Sequence, residues 1–260
     1  MTQRAIDTLK SVDVIACEDT RVTGVLLQRF GISTPTLPYH DHNADRMRPQ
    51  LLARMQAGEA VALVSDAGTP LISDPGYKLV RDCADAGIAV VPLPGASALL
   101  AALVVAALPT DRVLFAGFLP AKSGARREAL MEFKTLQATL VFYESPQRIA
   151  ESLADMAAVL GSRTAAVCRE LTKLYEEVRR GALPDLAAAY GAQDTPKGEI
   201  VVVVEGAAKE QVSIGANDID QALRDALTTM SLRDAATAVA EALNQPRRAV
   251  YARALVLAKT

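Results

Sequence analysis

The segment Ser65–Gly76, SDAGTPLISDPG, sets two glycines, two prolines and two aspartates between an apolar run, Ala60–Val64, and a helical pattern, Tyr77–Ala86. The run predicts a buried strand, and loops at the carboxyl ends of strands are where open α/β sheets hold ligands. Glycine lets a ligand approach the main chain, and proline stiffens the loop around it. The segment lacks the Gly-Lys-Ser/Thr ending of a phosphate-binding P-loop, and it is not a GxGxxG fingerprint. A second loop, PLPGASA (Pro92–Ala98), presents Gly95, Ala96 and Ser97 at the start of a helix. Free N–H groups there suit an anion; read structurally, Pro94-Gly95 is a turn and Ser97 a cap.

Three further clusters carry polar chemistry. Glu18, Asp19 and Arg21 follow a strand end, as proton acceptors with a cation or as a carboxylate pair at a helix start. Both histidines lie in Tyr39-His40-Asp41-His42-Asn43. No cysteine or further histidine completes a zinc site, so no metal is expected. His42 and Asn43 are candidates to touch a substrate; a solvated loop is the alternative. Glu144, Ser145, Pro146 and Arg148 follow another strand, with Ser145 as cap and Pro146 opening the helix. Arg148 then wants a carboxylate such as Glu151, or a phosphate. Arg169, Glu170 and Lys173 leave a further strand end, and Gly198 in Lys197-Gly198-Glu199 implies close approach by a neighbouring group.

The elements that position these residues alternate. Strand patterns at Val12–Ala16, Ala60–Val64 and Ile88–Val91 alternate with helical patterns at Gln3–Lys10, Thr23–Phe30, Met47–Ala57, Tyr77–Ala86 and Ser97–Leu108. This predicts a mainly parallel sheet with helices on both faces. After Pro109 come strand patterns at Arg112–Phe118, Thr139–Tyr143, Thr164–Arg169 and Glu199–Glu205, with helices at Ala125–Leu136 and Pro146–Leu160. The fold class is α/β, in two α/β domains, 1–110 and 111–208. Gly206–Asn217 reads as a linker, and 217–260 as a helix-turn-helix-like module. In that module Ile219–Met230 is helical, Ser231 caps a helix to Leu243, Asn244 takes a left-handed turn, and Pro246 opens the last helix. That helix and its end carry Arg247, Arg248, Arg253 and Lys259 with no acidic residue, so a small basic face is expected.

The chain has 260 residues, half of them hydrophobic, with 28 Lys and Arg against 30 Asp and Glu. A net charge of −2 excludes a protein coated in positive charge, and any nucleic-acid contact must be a local patch. Three widely spaced cysteines, Cys17, Cys83 and Cys168, predict buried thiols of a cytoplasmic protein. The uncharged stretch after Asp85 is divided by Pro92, Pro94 and Gly95. Ala98–Leu108 is about half the length a membrane span needs, so it reads as a core helix.

SDAGTPLISDPG, PLPGASA and FYESPQR (Phe142–Arg148), together with CEDTR (Cys17–Arg21), CRELTKLYEE (Cys168–Glu177) and KGEIVVVVEG (Lys197–Gly206), resemble the tetrapyrrole methylase superfamily. The closest branch 2′-O-methylates a cytidine of small-subunit ribosomal RNA. The resemblance implies two α/β domains with the cofactor in the cleft between them, S-adenosylmethionine as cofactor, ribosomal RNA or the small subunit as partner, and a homodimer. It implies a cofactor site at Ser65, Asp66, Ala67, Gly68, Thr69, Pro70, Gly95, Ser97, Ala98 and Glu144. Catalytic candidates are Glu18, Asp19, Arg21 and His42. RNA candidates are Asn43, Arg148, Arg169, Lys173, Arg247 and Arg248. The family also has a first strand ending in a Thr-Pro-x-Gly-Asn loop, whereas this sequence starts within a helix. A tetrapyrrole methylase and a catalytically silent RNA-binding protein are the alternatives.

Overall fold

The computed structural model describes residues 1–66, 68–208, 216–243 and 245–258; Ala67, Asn244 and Lys259, named above, lie outside them. The chain divides into two compact units, Met1–Ala207 and Ala208–Thr260.

The first unit opens with α1 (Gln3–Ser11), β1 (Val14–Cys17), α2 (Thr20–Arg29), β2 (Thr36–Pro38), α3 (Ala44–Gln56), β3 (Val61–Val64), α4 (Tyr77–Asp85) and α5 (Ala98–Ala106). The three strands form a parallel sheet in the order β2-β1-β3. Successive side chains of a strand point to opposite faces, and β1 uses both. Ala16 packs with Met47, Leu51, Leu79 and Cys83 of α3 and α4. Ile15 and Cys17 pack with Leu9 of α1 and Leu27 of α2. Ile88–Val91 has the composition of a strand but pairs with none among the described residues, and Val90 and Val91 are exposed. A β-branched run without a ladder partner stays an extended connector.

The chain continues through β4 (Val113–Phe118), α6 (Ser123–Met131), β5 (Thr139–Glu144), α7 (Ile149–Leu160), β6 (Thr164–Arg169), β7 (Glu177–Ala182), α8 (Leu183–Gly191) and β8 (Ile200–Val204). The second sheet has the order β4-β5-β8-β6-β7, parallel only at β4–β5. One face is covered by α6, α7 and α8 around Leu130, Phe142, Leu153, Leu186 and Val202. The other is covered by α5 through Ala102 and Ala106, against Val141, Ala166 and Val203. Strand β7 escapes the sequence pattern because its run, EVRRGA, carries two arginines; charged residues are how edge strands resist further pairing.

Two sequence expectations change here. Helix α7 starts at Ile149 rather than Pro146, because Ser145–Arg148 closes a turn in which the Arg148 N–H donates to the Ser145 carbonyl at 3.1 Å. Helix α5 is a core helix on one side only, with Leu100 exposed and Val104 83% exposed. No helix among the described residues is long and apolar enough to cross a membrane. All three cysteines are buried.

The second unit contains α9 (Ala216–Leu227), α10 (Leu232–Ala242) and α11 (Arg247–Leu257) around Leu223, Ala236, Val239, Val250 and Ala254. Ser231 caps α10, its hydroxyl accepting from the Asp234 N–H at 3.3 Å. Arg253 leaves the expected basic face, because its guanidinium donates to both oxygens of Asp220 at 2.6 and 2.5 Å.

Candidate functional site

Parallel pairing brings the carboxyl ends of β2, β1 and β3 side by side, so Tyr39–Asn43, Glu18–Arg21 and Ser65–Gly76 emerge together. The Asp19 N–H donates to Asp66 Oδ1 at 3.3 Å and joins the β1 and β3 ends. The Thr69 hydroxyl donates to the Ala96 carbonyl at 3.2 Å, so the two glycine-bearing loops touch. The first N–H groups of α5 have no side-chain cap, because Ser97 is in cap position without a capping bond. One of them, on Leu99, donates to the Tyr143 hydroxyl from the second sheet. The site therefore sits where the two sheets of the first unit meet.

Backbone strain concentrates in the same loop. Leu71 and Ser73 adopt φ of 74° and 62°, left-handed conformations that cost side-chain-bearing residues roughly 1–3 kcal/mol each. Across from Ser73, β4 carries a register shift at Gly117, itself at φ 64°. A Cβ on Gly117 would stand 3.2 Å from Ser73 Oγ, so this bulge admits the strained loop.

The carboxylates divide by environment. Asp19 is the N-cap of α2 and accepts from the Arg21 N–H at 2.8 Å; Arg21 also reaches both its oxygens, at 3.0 and 2.6 Å. That hydrogen-bonding holds Asp19 at a pKa of about 2. Asp19 and Arg21 thus satisfy one another. Glu18 moves the opposite way. Burial raises its pKa first, the nearby carboxylates of Asp66, Asp74 and Asp41 add to this, and His40 opposes it. Asp74 is also raised, chiefly by burial, although it accepts a hydrogen bond from Ser65.

His42 is exposed, its ring edge-on to His40 at 5.9 Å. His40 Nδ1 is buried with no hydrogen-bond partner among the described residues. Asn43, expected at the substrate, closes the loop instead: its Oδ1 accepts from the His40 N–H at 3.0 Å and its Nδ2 donates to the Pro38 carbonyl at 2.9 Å. Sequence reasoning singled out neither His40 nor Asp74. The second aspartate of SDAGTPLISDPG was a signal for Asp74; the preference for His40 over His42 depends on burial, which the repeat His-Asp-His conceals. Among the described residues no cluster could hold a metal ion.

Several other candidates have partners inside the protein. Glu144, expected at the cofactor, is buried: Oε1 accepts from the Ser145 N–H at 2.8 Å and Oε2 from the Ser152 hydroxyl at 2.5 Å. Arg148 lies 3.3 Å from Glu144 and donates to the Leu119 and Pro120 carbonyls at 2.6 and 3.2 Å. It pairs with Glu144 rather than Glu151. Arg169 meets Glu177 at 3.0 Å and the Lys197 carbonyl at 3.2 Å. Lys173 bridges Glu170 and Glu199 at 2.7 and 2.8 Å. Gly198 is explained by Glu170, whose carboxylate occupies the space a Cβ would need. Arg247 and Arg248 lie in the second unit and are exposed.

The donor set fits an amino-acid-bearing nucleoside such as S-adenosylmethionine. Uncapped N–H groups at the start of α5 suit a carboxylate, Asp66 supplies an acceptor, and Gly68 and Gly95 leave the main chain accessible.

Comparison with known proteins agrees with this geometry. Residues 1–187 match the family of Tetrapyrrole (Corrin/Porphyrin) Methylases, and residues 214–258 match the RsmI C-terminal HTH domain. The chain is 52% identical to the Ribosomal RNA small subunit methyltransferase I of Mesorhizobium japonicum, over 100% of this chain and 88% of the relative. It is 46% identical to the protein of that name in Escherichia coli O157:H7, over 98% and 90%. Among solved structures, the methyltransferase CobJ matches with a TM-score of 0.59 at 18% identity, over 82% of this chain and 91% of that one.

Proposed function

The chain belongs to the tetrapyrrole methylase family, and from that premise we propose that it methylates small-subunit ribosomal RNA, at the 2′-oxygen of a cytidine, with S-adenosylmethionine as methyl donor. The observation that carries the reading is the contact of the two glycine-bearing loops, Thr69 on Ala96, beside the carboxylates at the β1 and β3 ends. The cofactor, when bound, supplies an electrophilic methyl group on a positively charged sulfur. Its carboxylate would be held by the N–H groups at the start of α5 other than that of Leu99, which the Tyr143 hydroxyl takes. Asp66 and the main chain from Gly68 to Pro70 would take its polar edges, while Ser65 donates to Asp74.

The protein's own chemistry is alignment, exclusion of water and removal of one proton. Positive charge is lost as the methyl moves, so a dry, fixed geometry does much of the acceleration. Glu18 accepts the hydroxyl proton. A carboxyl with a raised pKa is a stronger base than an ordinary one, and is better matched to neutral pH. His40, whose backbone N–H is held by Asn43, lies close enough to Glu18 to favour its ionised form. Asp19 and Arg21 fix the turn that aims Glu18. Arg247 and Arg248 contact RNA; Lys173, Arg169 and Arg148 support the loops around the substrate, and His42 lies on the solvent side of that loop.

A second copy of the chain covers the apolar residues left exposed on the two helices, Leu100 and Val104 of α5 and Val22 and Val25 of α2. Exposed apolar surface of this kind marks protein contacts. Sedimentation of the chain as a monomer at micromolar concentration would remove that part of the reading.

The test of the whole is transfer of labelled methyl from S-adenosylmethionine to small-subunit RNA, followed by alkaline hydrolysis. A 2′-O-methyl group blocks cleavage at its own phosphodiester, so an alkali-resistant labelled dinucleotide is expected. Label released with ordinary mononucleotides would place the methyl on a base and overturn the 2′-oxygen assignment.

A further inference from the structure

The second unit bears a shallow, open surface hollow of about 590 Å³ lined by Arg233, Arg247, Arg248 and Tyr251. Arg247 and Arg248 begin α11, and Tyr251 follows four and three residues later. Side chains at those spacings share one helix face. Arg233, near the start of α10, joins them from the neighbouring helix. Among the described residues none of the three arginines makes an ion pair, although this unit pairs Arg253 with Asp220 on both oxygens. Two of the unpaired guanidinium groups lie in the first turn of α11, where the helix dipole is itself positive and disfavours them. Three cations left together at such positions call for an anionic partner. The tyrosine adds a second requirement: it is 39% exposed and lines the same hollow.

We propose that this hollow is a single-stranded RNA site, in which the arginines hold consecutive phosphates and Tyr251 stacks on an unpaired base. The inference rests on ribosomal RNA being the substrate and specifies how part of it is held. Guanidinium groups alone would accept any polyanion. The aromatic face selects a strand whose bases are free, because in an A-form duplex the base faces are stacked away from side chains.

Fluorescence anisotropy of the full chain with a labelled short single-stranded RNA, and with the same RNA in duplex form, tests this. The expected result is preference for the single strand, and loss of about tenfold in affinity in Tyr251→Ala from the lost stacking. Tyr251→Phe should keep the affinity, which separates stacking from a structural role of the phenol. Arg233→Gln and Arg248→Gln should each reduce the dependence of log affinity on log salt by about 0.7, while Tyr251→Ala leaves that slope unchanged. Equal binding of duplex, unaltered affinity in Tyr251→Ala, or equal competition by a polyglutamate peptide would each overturn the inference. Calorimetry with S-adenosylmethionine on the same variants keeps the two readings apart: intact cofactor binding beside absent RNA preference refutes this site alone, whereas a wild-type chain that binds no cofactor refutes the methyltransferase reading.

Discussion

The two sheets of the first unit are built for different tasks. The second has strands of five or six residues, with β5, β6 and β8 almost entirely buried, and a helical layer on each face. The first has strands of three or four residues, and only β1 is fully buried. Yet the first sheet carries Glu18, His40, Asp66 and Asp74, and the left-handed Leu71 and Ser73. Unfavourable features, namely clustered carboxylates and strained backbone, sit on the small sheet. The large sheet, through α5 and the Gly117 bulge, supplies the rigidity that holds them. Stability and chemistry are separable in this molecule, and substitutions should reveal the boundary.

The largest effect is expected on the second sheet's side. Asp155 is buried and faces Arg126 at 2.7 Å, Arg127 at 2.5 Å and the Ser123 hydroxyl at 3.0 Å. Burial alone would raise its pKa, but the bonds from Arg127, Arg126 and Ser123 hold it low. Asp155→Ala leaves the buried Arg126 with only the Ala121 carbonyl at 3.1 Å and the more exposed Glu151 at 3.6 Å. It should lower stability by about 3–5 kcal/mol in denaturant unfolding, with activity per folded molecule unchanged. Activity lost ahead of structure would show that the two sheets are not separable.

Glu18→Gln should do the reverse. The methylation rate is expected to fall roughly a hundredfold, with the thermal midpoint unchanged or higher. Its pH dependence follows from the raised pKa. A carboxyl that binds its proton more tightly when folded favours the folded state at low pH. That contribution is lost as pH rises from the ordinary carboxylate value through the folded one. Activity should rise across the same interval, because the ionised form is the base. In Glu18→Gln the activity trend should disappear and the stability trend should shrink to the part that Asp74 supplies, and a pH–rate profile that survives would assign the proton acceptor elsewhere.

Ser73→Gly is expected to act between these extremes, stabilising the fold by about 1 kcal/mol as the left-handed strain is released, while turnover falls several-fold because the loop is freer. A gain in stability with full activity would mean that the strain is incidental. The smallest effect should come from Asp19→Asn beside an exposed Arg21, where no measurable change in the thermal midpoint is expected at neutral pH. The Asp19 contribution, small for so exposed a pair, is present above the ordinary carboxylate value and lost as pH falls toward about 2, so the two proteins should unfold alike in acid as well, and a clear difference at neutral pH that vanishes in acid would show the pair to be worth more.

How much of this was legible in the sequence depends on the range of the interactions involved. Strands β1 and β3, the two loops and the capped α10 follow from local patterns: apolar runs, glycine and proline positions, and Ser231 three residues before Asp234; β2, only Thr36–Pro38 and ending in a proline, does not. Strand β7 was hidden because its arginines answer to Gln193 and to the α5 carbonyl of Val105, partners distant in sequence, as well as to Glu177 of the same strand. Arg148, Glu144 and Arg253 read as ligand-facing charges until tertiary packing supplied Leu119, Ser152 and Asp220. Ile88–Val91 showed the opposite error, a strand composition without a neighbour. Charge type is visible in sequence, but whether a charge is already answered is a three-dimensional fact.

The place of β8 between β5 and β6 also has a consequence for biosynthesis. It is the last strand of its sheet to be made yet occupies the middle, so β5 and β6 emerge with open edges and no partner for one another. At translation rates of about 5–20 residues per second, the interval from Arg169 to Val204 lasts on the order of a few seconds. During it the nascent chain presents two apolar edges. The small first sheet, complete by Val64, can close well before then. The half that carries the chemistry is thus free to form first, and the half that holds it rigid must wait for its central strand.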